Sequence, residues 1–154
     1  MKRLIIVVCM LMTACASQKG STGVAKPNSS KGDTRTIPVE SLDAETYLLT
    51  VQSTDKSYGY TEGNAIKVGS EGGGPTNERR FLNALLGPNG EEVSYSRSGS
   101  CCAFKTPNGM IDNMGMLDRY TVTWTGNSNP ITLYLNMYDK GDLQIPVGFT
   151  AKRP

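Results

Sequence analysis

The chain has no histidine among its 154 residues. That removes Ser-His-Asp and Cys-His nucleophile systems and every zinc site that uses imidazole. A general base would have to be a carboxylate, a lysine, a tyrosine or a thiolate. No apolar run reaches the roughly 20 residues that a membrane-spanning helix needs. The longest, Leu4 to Met12, is nine residues and follows Lys2-Arg3. A basic excess is also missing once that start is set aside. Without Lys2 and Arg3 the remainder carries 14 Lys+Arg against 14 Asp+Glu, so no nucleic-acid footprint is visible. The sequence pI near 8.3 therefore reports the first few residues, not a partner.

What is present begins with an address. A basic pair, a short apolar core and a small residue at Ala14 fit a signal peptide. The run Met12-Thr13-Ala14-Cys15 resembles the lipobox of bacterial lipoproteins, with Met12 where Leu is usual. Cys9 fits less well, because bulky Val8 precedes it. The resemblance implies cleavage before Cys15 and acyl chains on Cys15, and two or more chains hold a protein stably on a membrane. Ala16-Ser17-Gln18-Lys19 lacks the acidic pair that resembles surface-export signals, so the expected location is the outer membrane, facing the periplasm.

Composition divides the chain into residues 1–14 as signal peptide, 15–40 as lipidated cysteine and flexible tether, and 41–154 as one domain. The tether is rich in Ser, Gly, Lys and Thr and has too little apolar surface to order itself. Its reach is on the order of 25 Å.

Within the domain, Arg119–Thr125 sets Tyr120, Val122 and Trp124 against Thr121, Thr123 and Thr125, and Ile131–Tyr138 repeats the alternation. The turn-forming residues 126–130 between them predict a hairpin. Strands are also expected at 46–53, 65–68 and 92–98. One helix is expected over 75–86: Pro75 opens it, Phe81, Leu82, Leu85 and Leu86 form a stripe, and Gly87-Pro88 stops it. The fold class is α+β: a mainly antiparallel, sandwich-like sheet with one short helix packed on it.

Three segments could carry chemistry. Cys101 and Cys102 are adjacent, and their Cα atoms are closer than an ordinary disulfide prefers. An oxidising compartment still allows the bond. The pair reads as a constrained turn, a redox element, a soft-metal ligand pair or a nucleophile lacking a histidine partner. The Gly69–Arg80 stretch is a glycine-rich loop entering a helix. Thr76, Asn77, Glu78, Arg79 and Arg80 could meet an anionic or sugar ligand there. It lacks the Gly-Lys-Ser/Thr ending of a phosphate loop, and the plain alternative is a connection followed by a solvated helix face. Tyr58–Thr61 with Tyr134, Asn136, Tyr138 and Asp139 could form an aromatic and amide face for a sugar or peptide, or an ordinary sheet face.

Tyr58–Thr61, Ile66–Gly69, Gly74–Leu85, Gly87–Gly90, Gly99–Phe104 and Leu133–Asp139 together resemble a family of small Bacteroidetes envelope lipoproteins, over roughly residues 58 to 150. Some members carry the name 2-dehydro-3-deoxyphosphooctonate aldolase. Enzymes of that name resemble (β/α)₈ barrels, which need about 250 residues, and this domain has neither the length nor an alternating strand–helix pattern. The expectation is a lipid-anchored, non-enzymatic binding or assembly module without catalytic residues, cofactor or metal. Its partner would be an envelope protein or glycan, not a nucleic acid. The alternatives are thiol redox or enzyme chemistry at Cys101-Cys102, and anionic or sugar binding at the Gly72–Arg80 loop.

Overall fold

Period-two alternation builds one central sheet, and the single short helix among the described residues covers part of it. The computed structural model describes residues 32–154; Cys15, the signal segment and most of the expected tether lie outside them. The elements run β1 (Glu40–Asp43), β2 (Thr46–Leu48), β3 (Ile66–Lys67), α1 (Gly74–Asn83), β4 (Leu85–Leu86), β5 (Val93–Lys105), β6 (Met114–Trp124), β7 (Ile131–Asn136) and β8 (Thr150–Ala151), with a 3-10 turn at Glu62–Asn64. The fold is α+β and mostly strand, as the alternation implies.

The central sheet has the order β3-β7-β6-β5, with β3 parallel to β7 and the other pairs antiparallel. The predicted β6–β7 hairpin forms, with Tyr120 opposite Leu133 and Val122 opposite Ile131. Tyr120, Val122, Leu133 and Leu135 are buried, and they share one core with Tyr47, Phe81, Leu82, Leu85 and Ala151 from α1 and the two small sheets, β1-β2 and β4-β8. Fully burying each of the Val, Leu and Phe side chains among them contributes about 1.5–3 kcal/mol.

Several boundaries differ from the sequence reading: the strand expected over 46–53 is only Thr46–Leu48, and β7 ends at Asn136. The helix ends at Asn83, and Leu85-Leu86 pair with Thr150–Ala151 as β4. The Ala84 N–H closes back on Phe81 and Leu82. Leu85 is therefore buried as a strand residue, because pairing with β8 competes with one more helical turn. The strand expected over 92–98 is the first half of β5, which runs on to Lys105.

The tether-like composition also continues into a bound segment. The Asp142 carboxylate accepts the Thr36 N–H at 2.6 Å, the Thr36 hydroxyl at 2.6 Å and the Ile37 N–H at 2.8 Å. Burial raises the Asp142 carboxyl, yet these bonds hold it below its ordinary range. Arg35 donates to the Gly141 carbonyl at 3.0 Å. Residues 33–37 thus lie on the domain, fastened by partners more than a hundred residues away.

Candidate functional site: a polar cleft beside Tyr138

The turn after β7 is set by one asparagine. Asn136 Oδ1 accepts the N–H groups of Tyr138 (2.8 Å) and Asp139 (3.0 Å), which bends the chain at the strand end. Asp139 is buried, and its carboxylate collects donors from three places: the Thr106 hydroxyl, Asn108 Nδ2 at 2.9 Å and Asn136 Nδ2 at 3.0 Å. That network joins the end of β7 to the turn between β5 and β6. Gly32 passes so close that an added Cβ would lie 2.4 Å from Asn108 Nδ2 and 2.7 Å from Asp139 Oδ1, and its φ is +83°. Glycine is the residue that fits there.

Above this network opens a cleft of about 350 Å³, with Asp33, Ser70, Glu71, Asn108, Tyr138 and Lys140 on its walls. The volume lies at the lower end of small-ligand sites. The Tyr138 ring meets Phe104 edge to face at 6.0 Å. Gly115 leaves room for it, since a Cβ there would come within 3.0 Å of both rings. Lys140 pairs with Glu71 and lowers its carboxyl below the usual value. The walls therefore offer one aromatic face, an amide and charges of both signs.

The structure brings together only part of the expected site. Tyr138 lines the cleft, and Asp139 supports it from beneath. Thr76, Asn77, Glu78, Arg79 and Arg80 do not line it. Asn77 is buried and donates to the Gly69 carbonyl at 3.0 Å and the Glu71 carbonyl at 2.8 Å, so it shapes the glycine loop that forms one wall. Arg79 donates to Thr76, and Arg80 reaches the Ala44 carbonyl at 2.9 Å. The guanidinium groups are thus drawn to other partners. The proposed aromatic face is also divided. Asn136 turns inward, the Tyr58 hydroxyl bonds Asp142 and Gln144, and the Tyr60 hydroxyl bonds the Val147 carbonyl. Burial pushes Tyr58 up to about 12. Ser70 and Glu71 belong to the glycine-rich stretch already singled out, but Asp33, Asn108 and Lys140 escaped the sequence reading, because no local pattern links residues 69 apart such as Glu71 and Lys140.

A second polar cluster lies under α1. Glu78 is fully buried and accepts the Tyr120 hydroxyl at 3.0 Å. Its other oxygen meets no N–H or hydroxyl donor. Burial first, and then the neighbouring Asp118 charge, raise the Glu78 carboxyl to about 7. Asp118 is held below its ordinary value despite burial, because Arg97 grips both its oxygens at 2.7 Å and Ser100 donates at 2.8 Å. Glu78 therefore holds its proton to higher pH than Asp118, which is ionised first.

In the next residue pair along the same hairpin, Cys101 faces Leu117 and is disulfide-bonded to Cys102, with Cα atoms 3.7 Å apart. Both are half-buried. They sit at a register break in β5, where Cys102 takes φ +57°. Bonded sulfurs are neither thiolate ligands nor nucleophiles, so the bond favours the constrained-turn and redox readings.

No protein-family model, no curated protein and no solved structure matches this chain.

Proposed function

We propose that this protein is a lipid-anchored envelope module that binds a polar ligand of sugar type in the cleft beside Tyr138. The supporting observation is the cleft's make-up. An aromatic ring is fixed next to Asn108 and to acidic and basic side chains, on a buried Asp139 network that holds the walls in place. Sugars present apolar C–H faces and many hydroxyls, and such a wall meets both. Anchoring through Cys15 and a tether would hold the domain near the glycans of the envelope.

Two measurements test this. Peptidoglycan disaccharide fragments and lipopolysaccharide core oligosaccharide, titrated by NMR, should shift Tyr138, Asn108 and Lys140 resonances. Tyr138→Ala should abolish the shifts without lowering the melting temperature by more than a few degrees. Saturable binding that survives Tyr138→Ala would sink the cleft assignment. Cys15→Ser should release the protein from membranes; continued membrane association would overturn the anchor.

The Cys101–Cys102 bond supports a second reading, a thiol-reactive element. The bond, on two half-buried residues, could exchange with a dithiol, which would be oxidised to its disulfide as both cysteines become thiols. Thiol trapping after exposure to a dithiol oxidoreductase should then label two thiols. A bond that resists such a reductant in the folded protein would leave it a structural turn.

A further inference from the structure

Among the described residues, sulfur is concentrated on one hairpin. Residues 32–154 contain six sulfur side chains, and all but Met137 lie on the β5–β6 hairpin. Methionine is usually an interior residue, yet Met110 is 87% exposed, and Met114 and Met116 are exposed as well. Met114 and Met116 are two residues apart on β6, so they project from the same face about 7 Å apart along the strand. Met110 lies in the turn that leads into Met114. The Met114 N–H bonds the Ile111 carbonyl at 2.8 Å, and Gly109 crosses so near that an added Cβ would lie 2.4 Å from the Met114 carbonyl oxygen. Three long thioethers, each with three rotatable bonds, therefore project from one end of the molecule.

We infer that Met110, Met114 and Met116 form a binding site for a soft monovalent cation of the copper(I) class. Thioethers are soft, neutral donors that favour copper(I) over hard or divalent ions. Among the described residues no group of three His, Cys, Asp or Glu is placed to hold a metal, so the thioethers would act without a carboxylate or imidazole. Lys105 lies opposite Met114 on β5, and a site of neutral ligands beside a lysine suits one positive charge better than two. The oxidised Cys101–Cys102 pair is not a ligand. The inference is independent of the cleft reading.

The probe is silver(I), a redox-inert stand-in, added in chloride-free buffer to the oxidised mature chain, whose Cys15 is acylated on the proposed reading and which therefore offers no free thiol. Native mass spectrometry should show one silver per chain, and the labelled methyls of Met110, Met114 and Met116 should shift while that of Met137 stays. The Met110→Leu, Met114→Leu, Met116→Leu variant keeps the apolar area and should lose the silver at an unchanged melting temperature. Cys101→Ser with Cys102→Ser should retain it. Silver retained by the leucine variant, silver lost with the cysteines, or no uptake at concentrations that load free methionine would each overturn the site.

Discussion

Two buried carboxylates sit on the same sheet framework and behave as opposites. Asp139 is surrounded by donors: a hydroxyl and two carboxamides point at it. Glu78 faces another acid, and only the Tyr120 hydroxyl points at it. A carboxylate ringed by donors is a fixed anchor that organises two loops. A carboxyl set against Asp118 must keep its proton to be tolerated, and so becomes pH-dependent. The anchor underlies the cleft, whereas the proton-holding acid ties α1 to the sheet.

The largest effect that separates them is expected at Asp139. Asp139→Ala strands three buried or half-buried donors, and a loss of about 4 kcal/mol should appear in urea denaturation midpoints. A loss below about 1 kcal/mol would mean that water replaces the carboxylate and that the contrast is false.

Next comes the pH limb of Glu78. Its folded value, near 7, is above the ordinary 4.5. Its contribution is therefore complete below about pH 4.5 and is lost as pH rises through 7, a fall on the order of 3 kcal/mol. Asp118 has the opposite sign, since its folded value is lowered and its contribution disappears as pH falls below the carboxylate range. Stability from this pair should peak near pH 4 to 5. Glu78→Gln should flatten the alkaline limb, because an amide of the same shape does not titrate. A limb unchanged in that variant would assign it to another group.

Smaller is Gly32→Ala, which forces a side chain into the left-handed region and onto the Asp139 network. It should cost about 2 kcal/mol and distort the cleft, seen as lost ligand shifts at Asn108. The smallest is Tyr120→Phe, about 1 kcal/mol at pH 5. Because the Tyr120 hydroxyl lowers Glu78, its removal should move the alkaline limb upward in pH. A downward move would refute the hydrogen-bond direction.

Much of the frame was legible locally. Alternation over 119–125 and 131–138 specified the hairpin and its inward faces, since side-chain direction in a strand follows from period two alone. The stripe at Phe81 and Leu82 gave the helix, but Leu85 and Leu86 could serve a helix or a strand equally well, and only β8 decided between them. Of the candidate site, Tyr138 and Asp139 were visible as residues. Their division of labour, ring in the wall and carboxylate below, was not.

By itself the sequence determined the fold class, the main hairpin, and the absence of imidazole chemistry. These are properties of single residues and near neighbours, set by sterics and apolar periodicity. The tertiary structure alone decided that Glu78 meets Asp118, that Asp142 gathers residues 36 and 37, and that Glu71 and Lys140 face each other across the cleft. Such pairings join groups 40 to 106 residues apart. Long-range hydrogen bonds and shared protons depend on which side chains burial brings together, and no local pattern encodes that.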